Sequence, residues 1–588
     1  MIRLRLLPAG GLPRPDGAFP GWIFLGKDPA LEAACAAALP RDRRVDVTRR
    51  LLEIADGLRS GFAREVARIG AEQSDILGWH SSTFAWKTPA ASDLFILSCY
   101  RLLIQALASE AAEPTVIFLE DPWLYEDCRR DAVLRRLLDE PSPVLLWPSK
   151  IRRAIRGSAG RLLWLWRTVA GWARQRRWGG LGGAHSEKPK YAVYGVPDAR
   201  CLGPDAKWND PYLPALDALV HKTGGAILRF VPPDVHGFEQ ALAQRSSFVR
   251  PLSLFSTLGE IVSAAATVWR PTALSSYALE GVAMPLLAER EWWMDAGSAR
   301  WCGYRLFNSS FRRFLDVEKP DAVIYPFENQ PWEKILCAAS SETGTPTIGY
   351  QHSVVPRFFL GYWPGPEGPG TPLPDLIIAS GPIQKEALVR AGTPAARIRV
   401  GGSMRFRYLA SARNEPRAPR RGLSRVLVLA THNPGITRGL LEAVRAAFPD
   451  NGKGDGLALF FRPHPTAPPG SLRDAAGLTT VRGDLSSQLR EFDLIVTPGS
   501  TVALEARFLN VPVLLFRPAV VLDAMDLANL VPDSFFEYAS GVEMRDKVLG
   551  LLRESPDSDP SADGLRDGLF APVDEREWLE CLSDRRTK

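Results

Sequence analysis

The chain of 588 residues is too long for a single hydrophobic core, and its length suggests about three domains. With 46% hydrophobic and 23% charged residues, it has the composition of an ordinary soluble globular protein. The net charge of +6 is small for this length, so it suggests a preference for anionic ligands or surfaces but no general nucleic-acid-binding footprint.

The cysteines and the N-terminus bear on the compartment. Seven cysteines are scattered without a CxxC pair, which excludes a zinc ribbon and a disulfide scaffold and fits a reducing cytoplasm. Proline and glycine interrupt the N-terminus before a signal-peptide core can form, and no run approaches the roughly 20 apolar residues of a membrane span. We therefore expect a cytoplasmic protein.

Residues 1–148 have the pattern of a small α/β domain. Short apolar runs predict strands at 21–25, 115–119 and 144–147, and helical periodicity predicts helices at 28–38, 47–70 and 91–110. The polar and aromatic segment 79–88 between them has two interpretations: it binds a sugar, or it caps the sheet. Capping is the simpler one.

The next segment, 149–189, is predicted to be a basic amphipathic helix followed by a glycine-rich linker. Residues 150–178 contain nine Lys or Arg residues, four tryptophans and no acidic residue. One helical face holds Ile151, Ile155, Leu162, Leu165, Trp166, Val169 and Trp172, and the other holds Arg153, Arg156, Arg167 and Arg174. Such a helix either lies in the interface of an anionic membrane or packs on the protein by its tryptophan face.

Strands alternate with helices through 190–415 and again through 416–540, which predicts two parallel sheets with helices on both faces. The fold class is therefore α/β: two tandem Rossmann-like, doubly wound domains with a cleft between them, preceded by the N-terminal α/β extension. We expect the polar segment 541–588 to be helical and to return to the first of the two domains. The strand candidates are 191–196, 226–231, 322–325, 347–350, 376–380, 425–430, 458–462, 494–497 and 513–516.

Two consecutive strands of the first domain end in polar residues. Glu328, Asn329, Gln330 and Glu333 follow the strand at 322–325, and Gln351 and His352 follow the next strand. Ligands of open α/β sheets sit outside the carboxyl ends of the strands. A carboxylate and an imidazole at neighbouring strand ends are the groups that acid–base chemistry needs. We therefore predict that Glu328 and His352 are catalytic, with the amides and Glu333 around them binding an acceptor.

The second domain carries candidate phosphate-binding residues. Arg462 and His464, in the sequence Arg-Pro-His-Pro, follow an apolar strand, and the flanking prolines restrict the backbone there. A guanidinium binds phosphate oxygens bidentately, and an imidazolium neutralises a departing phosphate. His464 is therefore predicted to be both donor-binding and catalytic.

A helix start in the same domain offers a second anion site. Gly499 permits a close backbone approach, Ser500 and Thr501 cap the helix, and the free N–H groups of the first turn attract a phosphate. Glu505, one turn later, is placed to bind ribose hydroxyls.

Two further loops are predicted to line the cleft. His432 and Asn433 close the first strand of the second domain and are assigned to the donor. Arg405, in the loop 400–405 that closes the first domain, is assigned to the acceptor.

Several motifs are absent from the sequence. It has no P-loop and no G-x-G-x-x-G after a strand, which disfavours P-loop enzymes and Rossmann dehydrogenases. It has no G-x-S-x-G, which disfavours an α/β-hydrolase. The only D-x-D lies in the polar tail at 557–559, and no His/Cys cluster has ligand spacing, so we expect neither a metal nor another cofactor.

Several of these motifs resemble those of GT-B glycosyltransferases of bacterial capsule, lipopolysaccharide and polysialic-acid synthesis. More narrowly, the chain is similar to the bacterial "surface carbohydrate biosynthesis protein" family. That similarity covers about 190–520 and, more faintly, the segment 79–89. The motifs that carry it are FENQPWEK (327–334), IGYQHSVVP (348–356), PLPDLII (372–378) and VGGSMRFRY (400–408).

The resemblance also implies site roles. In bacterial sialyl- and Kdo-transferases an HP motif and a Ser/Thr motif bind the cytidine monophosphate of the donor, which places those roles on His464, Ser500 and Thr501. Their acidic base lies in an acidic-acidic-Gly motif that this chain lacks at the matching place, and Glu328 is the nearest substitute.

The sequence thus predicts an inverting, metal-independent glycosyltransferase. It would transfer a sugar, with a CMP-activated ulosonic acid as the suspected donor, to a surface polysaccharide or glycolipid precursor. Peripheral contact with the inner face of the plasma membrane would occur through 150–178. The alternatives are a polyol-phosphate transferase or nucleotide-sugar epimerase on the same fold, and a non-catalytic glycan-assembly protein.

Overall fold

The computed structural model of the chain describes residues 2–7, 21–89, 91–110, 114–138, 144–177, 191–195, 201, 208–233, 249–365, 372–411, 422–464, 475, 477–518, 521–523, 525–553 and 560–583. Within these ranges lie three parallel sheets, and the cores of the three overlap through shared side chains. The linker predicted at 179–183 lies outside the described residues.

The N-terminal unit has a three-stranded parallel sheet in the order β1-β3-β2. Its strands are β1 (Ile2–Leu6), β2 (Gly21–Leu25) and β3 (Thr115–Leu119). Its helices are α1 (Pro29–Ala38), α2 (Thr48–Ala71), α3 (Ile76–His80), α4 (Thr83–Trp86), α5 (Leu94–Glu110) and α6 (Pro122–Arg130). The long helix α7 (Trp147–Arg177) follows.

The strand predicted at 144–147 is wrong. The backbone N–H of Val144 donates to the Glu126 carboxylate, 3.3 Å away, and Trp147 begins α7 with Pro148 in its first turn, where proline is tolerated. The third strand of this sheet is instead β1, a short run before a Pro- and Gly-rich stretch, which the sequence analysis missed.

The second unit is a seven-stranded parallel sheet in the order β12-β11-β10-β9-β4-β5-β6. The strands are β4 (Tyr191–Tyr194), β5 (Ile227–Val231), β6 (Val249–Pro251), β9 (Ala322–Pro326), β10 (Thr347–Gln351), β11 (Leu376–Ala379) and β12 (Ile398–Val400). A hairpin, β7 (Ala278–Leu279) and β8 (Val282–Ala283), stands apart. The helices are α8 (Leu216–Lys222), α9 (Leu258–Ala266), α10 (Pro285–Ala296), α11 (Arg300–Glu318), α12 (Pro331–Thr343), α13 (Pro382–Arg390) and α14 (Tyr408–Ser411).

The third unit is a six-stranded parallel sheet in the order β15-β14-β13-β16-β17-β18. The strands are β13 (Ser424–Leu429), β14 (Leu457–Arg462), β15 (Thr479–Thr480), β16 (Leu494–Thr497), β17 (Val513–Phe516) and β18 (Glu537–Ala539). The helices are α15 (Pro434–Ala447), α16 (Leu485–Gln488), α17 (Thr501–Phe508) and α18 (Met544–Arg553).

The expected fold class is therefore confirmed: two doubly wound parallel sheets in tandem, as in a GT-B fold, with an N-terminal α/β extension. In each large sheet the strand order reverses once, between β4 and β9 and between β13 and β16. Such a reversal opens a crevice at the carboxyl ends of the strands, which is where ligands bind in open α/β sheets.

The C-terminal segment crosses back to the second unit, as expected. It forms α19 (Pro560–Leu569) and α20 (Glu575–Ser583). Trp578 is fully buried, and its Nε1 donates to the Gly401 carbonyl at 3.0 Å. The Tyr191 hydroxyl of β4 donates to the Leu582 carbonyl at 2.7 Å. This return joins the two large sheets by more than their direct linker.

The segment 79–88 is part of the hydrophobic core. It forms α3 and α4, and the Thr83 N–H donates to Asp295 at 2.9 Å. Trp79 stacks on Phe84 and meets Trp269 edge-on. Lys87 is only 5% exposed, and its backbone is left-handed, with φ 56°. These contacts support the capping interpretation over sugar binding.

We expect Lys87→Met to stabilise the protein below neutral pH. Burial lowers the pKa of Lys87 from 10.5 to about 7. Among the described residues, its Nζ donates a hydrogen bond only to the Pro364 carbonyl, at 3.4 Å. Below pH 7 the buried ammonium is charged and costs roughly 5 kcal/mol. Between pH 7 and 10.5 the folded state binds fewer protons than the unfolded state, so this cost fades as the pH rises. Thermal unfolding at pH 6 and pH 10 measures the difference.

The matched control for this substitution is Lys319→Met. Lys319 is exposed and also has a left-handed backbone, with φ 46°, so it shares the strain but not the burial. An equal rise in Tm for the two variants, or a gain for Lys87→Met that persists at pH 10, would contradict the linkage argument.

Candidate active site

The loop after β9 is held in one conformation by internal hydrogen bonds. Asn329 has a left-handed backbone, with φ 55°, which asparagine tolerates better than most residues. Glu333, in the first turn of α12, accepts the backbone N–H groups of Glu328 and Asn329 at 2.9 and 2.8 Å. The carboxylate thereby satisfies two donors of a tight turn and fixes where the Glu328 side chain begins.

Three residues predicted to bind the acceptor are turned inward. Asn329, Glu333 and Gln351 are at most 1% exposed. Asn329 Nδ2 donates to the Gly361 carbonyl at 2.7 Å, and Gln351 Oε1 accepts both the N–H and the hydroxyl of Ser380 at 3.1 Å. These bonded atoms support the loops, whereas the buried Nε2 of Gln351 has no hydrogen-bond partner among the described residues. We therefore assign Asn329 and Glu333 to positioning, and acceptor binding by Gln351 stays a prediction.

Glu328 and His352 face each other at the carboxyl ends of the paired strands β9 and β10. His352 Nε2 lies 3.5 Å from Glu328 Oε1, and Gln330 Nε2 donates to Glu328 Oε2 at 2.5 Å. Burial raises the pKa of Glu328, while the hydrogen bond from Gln330 and the charge of Arg405 oppose that rise. Burial, helped by Arg405, holds the pKa of His352 well below its usual value, so the imidazole is neutral at pH 7.

Arg405 is the cation of this site. It extends from the loop after β12, with its guanidinium carbon 5.5 Å from the Tyr212 ring centre and 4.8 Å from that of Phe406. It is half-buried, and its charge acts on the pKa values of Glu328, His352 and Glu505. No carboxylate of the described residues forms an ion pair with it within 4 Å, which leaves the guanidinium available to an anion.

The third unit brings its two predicted histidines together. The rings of His432, after β13, and His464, after β14, have centres 6.2 Å apart. Burial, and then the neighbouring His432, lowers the pKa of His464 to about 4. Asn433 caps α15 by accepting the N–H groups of Gly435 and Ile436 at 2.9 and 3.3 Å, so its side-chain oxygen is engaged.

Arg462 has donor capacity left over. Its Nη2 donates to the Gly483 carbonyl at 2.6 Å, whereas its buried Nη1 has no hydrogen-bond partner among the described residues. The buried hydroxyl of Thr497, at the end of β16, also has none in that part of the chain. Unpaired buried polar atoms at strand ends are the pattern expected of a ligand site.

Helix α17 begins at Thr501 with Ser500 as its cap, as predicted, and its start lies at the strand-order reversal of this sheet. Ser500 caps the helix by accepting the Val502 N–H at 3.0 Å, and Thr501 follows in the first turn. A Cβ on Gly499 would lie 2.8 Å from the Met525 carbonyl oxygen and 2.9 Å from Asp523 Oδ2. The close approach that requires this glycine is therefore made by the protein's own chain.

Contacts across the cleft join the two sites. The hydroxyls of Ser353, after β10, and Thr501 are 3.4 Å apart. Glu505 is 5% exposed, and its carboxylate accepts a hydrogen bond from the Tyr408 hydroxyl of the second unit. One carboxylate oxygen of Glu505 is therefore already hydrogen-bonded within the cleft wall. Only the other oxygen is left to bind a ribose hydroxyl.

Five residues near these sites were not predicted from the sequence: Lys27, Tyr212, Ser353, Tyr408 and Asp523. Lys27 lies two residues after the end of β2 in the N-terminal unit. The pKa of His432 is lowered mainly by burial and then by the charge of Lys27. Ser353 and Tyr408 lie within the motifs 348–356 and 400–408, but neither was predicted to have a role in the site. Nothing local in the sequence marks Tyr212 or Asp523.

No group of three or more His, Cys, Asp or Glu side chains able to hold a metal ion occurs among the described residues. In the same part of the chain, no helix is both long and apolar enough to cross a membrane.

Comparison with known proteins gives distant structural likeness only. No protein-family model and no curated protein matches the chain. Among solved structures it is similar to UDP-GlcNAc 2-epimerase of Methanocaldococcus jannaschii (11% identity, 66% of this chain and 98% of that one, TM-score 0.39) and MurG of Acinetobacter baumannii (13%, 67% and 99%, 0.38). It is also similar to the glycotransferase of kitacinnamycin (15%, 68% and 100%, 0.37). The fold assignment rests on the strand order of the chain's own sheets.

Proposed function

We propose that this chain is a metal-independent, inverting glycosyltransferase that uses a nucleotide-sugar donor. One observation carries the proposal: the Glu328–His352 pair of one sheet and the start of α17 from the other meet across the cleft, with Ser353 and Thr501 hydroxyls 3.4 Å apart. This arrangement sets an acid–base pair beside an anion-binding helix start.

Glu328 is the general base in this proposal. The acceptor hydroxyl oxygen attacks the anomeric carbon as the bond to the donor phosphate oxygen breaks, and the hydroxyl proton passes to Glu328. Burial raises the pKa of this carboxylate and makes it a better base near neutral pH. Gln330 fixes one carboxylate oxygen and neutral His352 orients the acceptor beside the other.

The leaving nucleotide is held by the third unit. The Val502 N–H at the start of α17 is already bonded to the Ser500 hydroxyl. The groups suited to phosphate oxygens are therefore the hydroxyls of Ser500 and Thr501 and the Nη1 of Arg462, which has no hydrogen-bond partner among the described residues. His464, neutral at pH 7, donates one N–H rather than a charge. Arg405 completes the anion site from the second unit. A CMP-activated, ulosonic-acid-like sugar is the proposed donor, and a surface polysaccharide or glycolipid precursor the proposed acceptor.

A thermal-shift panel with CMP, CDP, UDP, GDP and their sugar conjugates tests the proposal. A ligand at about 100 times its Kd stabilises the native state by roughly 2.7 kcal/mol, a shift of a few degrees in Tm. We expect a CMP-selective shift that survives EDTA and is diminished by His464→Ala. His221→Ala, which removes an exposed histidine from α8, is the matched control.

The other outcomes separate the alternatives. A UDP- or GDP-selective shift would overturn the CMP donor but keep a nucleotide-sugar enzyme. Conversion of a nucleotide-sugar without any acceptor would identify an epimerase, and transfer of phosphate with the polyol would identify a polyol-phosphate transferase. The absence of any shift would favour the non-catalytic assembly protein.

A further inference from the structure

Helix α7 divides lengthwise into two different faces. Trp147, Ile155, Leu162 and Trp166 are 57–68% exposed, and with Ile151 they form one stripe, since residues three, four and seven apart share a helical face. Leu165, Val169 and Trp172, predicted to lie on the same face, instead pack against Ile261 and Leu306. The predicted apolar face is thus half docked on the protein and half free.

Arginines border the free stripe. Arg152, Arg156 and Arg167 are exposed and form no ion pair with any described residue, and α7 contains no acidic residue along its length. Apolar residues flanked by unpaired cations are the pattern of a helix that lies in the headgroup region of an anionic bilayer.

The opposite face of α7 is fixed to the second unit. A Cβ on Gly157 would lie 1.9 Å from the Ala296 carbonyl oxygen, so the two backbones are in direct contact. Trp172 Nε1 donates to the Ser256 carbonyl at 3.0 Å, and Thr168 and Gln175 are buried. The stripe is therefore held in a constant position relative to the sheet.

An aromatic cavity of about 460 Å³ lies beneath α7. It lies at the carboxyl ends of β4 and β5, beside the reversal of strand order, and its walls include Trp164, Tyr194, Tyr304, Phe307, Trp332 and the cation Arg300. Trp164 is on the inner face of α7, two positions from Leu162 and Trp166 of the stripe. One helix thus forms both the outer surface and a wall of the cavity.

Two hydrogen bonds connect this cavity to the proposed base. Trp332, stacked on Tyr194 with ring centres 4.0 Å apart, donates from Nε1 to Gln330 Oε1 at 3.2 Å. Gln330 in turn donates to Glu328 at 2.5 Å. A molecule held against Trp332 therefore lies next to the loop that carries Glu328.

We propose that the acceptor is a glycolipid taken from an anionic bilayer: the outer stripe of α7 rests on the membrane, and the aromatic cavity holds the sugar nearest the lipid. This rests on the proposed function for the reaction itself. Aromatic walls suit the apolar faces of a sugar ring, and Arg300 suits a phosphate between sugar and lipid. The free arginines and apolar residues of α7 complement anionic headgroups and the acyl boundary.

Co-sedimentation with vesicles tests the membrane contact. We expect the full chain to bind phosphatidylcholine vesicles containing phosphatidylglycerol and to bind pure phosphatidylcholine weakly. Changing Arg152, Arg156 and Arg167 to Gln should weaken binding about a hundred-fold, and Leu162→Ser with Trp166→Ser should weaken it on both vesicle types. Val317→Ser, which alters a residue 63% exposed on α11, should change nothing. Unchanged binding in both sets of variants, or equal loss in the control, would overturn the proposal.

Photocrosslinking tests the cavity. With p-benzoylphenylalanine introduced at Ala299, which lines the cavity, vesicles of total bacterial membrane lipid should give an adduct whose mass contains both sugar and lipid. The same group at Val317 should give none. Phospholipid adducts alone, or no adduct at Ala299, would overturn the glycolipid assignment.

Neither measurement needs the donor, so failure here is distinguishable from failure of the proposed function. A nucleotide-induced shift in Tm without vesicle binding would support the proposed transferase and refute the membrane-borne acceptor. Vesicle binding and a glycolipid adduct without any nucleotide-induced shift in Tm would support the glycolipid site and refute the proposed transferase activity.

Discussion

Replacement of Glu328 by Gln should abolish turnover while donor binding persists. The amide is nearly isosteric and keeps the hydrogen-bond geometry with Gln330, but it cannot accept the acceptor proton. Loss of a positioned general base costs roughly 10²- to 10⁴-fold in rate. The nucleotide-induced thermal shift should remain, because the proposed phosphate ligands lie on the third unit. The test measures turnover of the variant with the donor that the thermal-shift panel identifies. The nucleotide-induced shift in Tm of the same variant shows whether donor binding persists.

Glu342→Gln is the matched control. Glu342 lies in the last turn of α12, the helix that follows the Glu328 loop, and pairs with Arg312 at 2.7 Å on the surface. An exposed pair of this kind contributes little, so this variant should keep both turnover and binding. Retained turnover in Glu328→Gln would show that Glu328 is not the general base. Loss of the nucleotide shift would instead point to collapse of the cleft.

The pairing of Glu328 with His352 could be predicted because it follows from local pattern and one topological rule. Both residues end apolar runs of strand length, and consecutive β-α-β strands often lie side by side in a parallel sheet. The structure pairs β9 with β10, which sets the two strand ends next to each other. The same reasoning placed His432 and His464, on the neighbouring strands β13 and β14.

Side-chain direction could not be predicted in this way. Position after a strand is shared by Glu328, which faces the cleft, and by Glu333 and Gln351, which turn into the protein. The direction of each side chain depends on which buried backbone N–H groups in the tight loop need a hydrogen-bond acceptor. Those groups can be identified only once the loop conformation is known. The need for glycine at 499 could not be predicted either, because its neighbours Asp523 and Met525 are distant in sequence.

Contacts between units are also absent from local patterns. Helical periodicity predicted α7. The positions of α9 and α11 determine which of its apolar residues are packed and which stay exposed. The approach of Lys27 to His432 depends on how the N-terminal sheet docks on the third unit, with Arg438 and Asp28 3.8 Å apart. Hydrophobic periodicity in the sequence predicts which face of a helix is apolar. Which other elements that face packs against is known only from the folded structure.

Replacement of Arg405 by Met should lower activity and shift its pH dependence. Arg405 is the one residue whose charge acts on Glu328, His352 and Glu505 together. Loss of a charge-assisted contact to a phosphate or carboxylate costs about 10- to 100-fold in kcat/KM. Burial already raises the pKa of Glu328, and removing the opposing cation raises it further, so the acid limb of the kcat/KM profile should move to higher pH.

Two companion variants make this result specific. Arg405→Lys keeps the charge, so the acid limb should stay where it is in the wild type, while the bidentate part of the anion contact is lost and KM rises. Arg407→Met removes an exposed guanidinium two residues away and should alter neither the rate nor the limb. A limb that does not move in Arg405→Met would mean that the ionisation governing activity is not that of Glu328. A limb that moves equally in Arg405→Lys would mean that the side chain acts through packing on Tyr212 and Phe406 rather than through its charge.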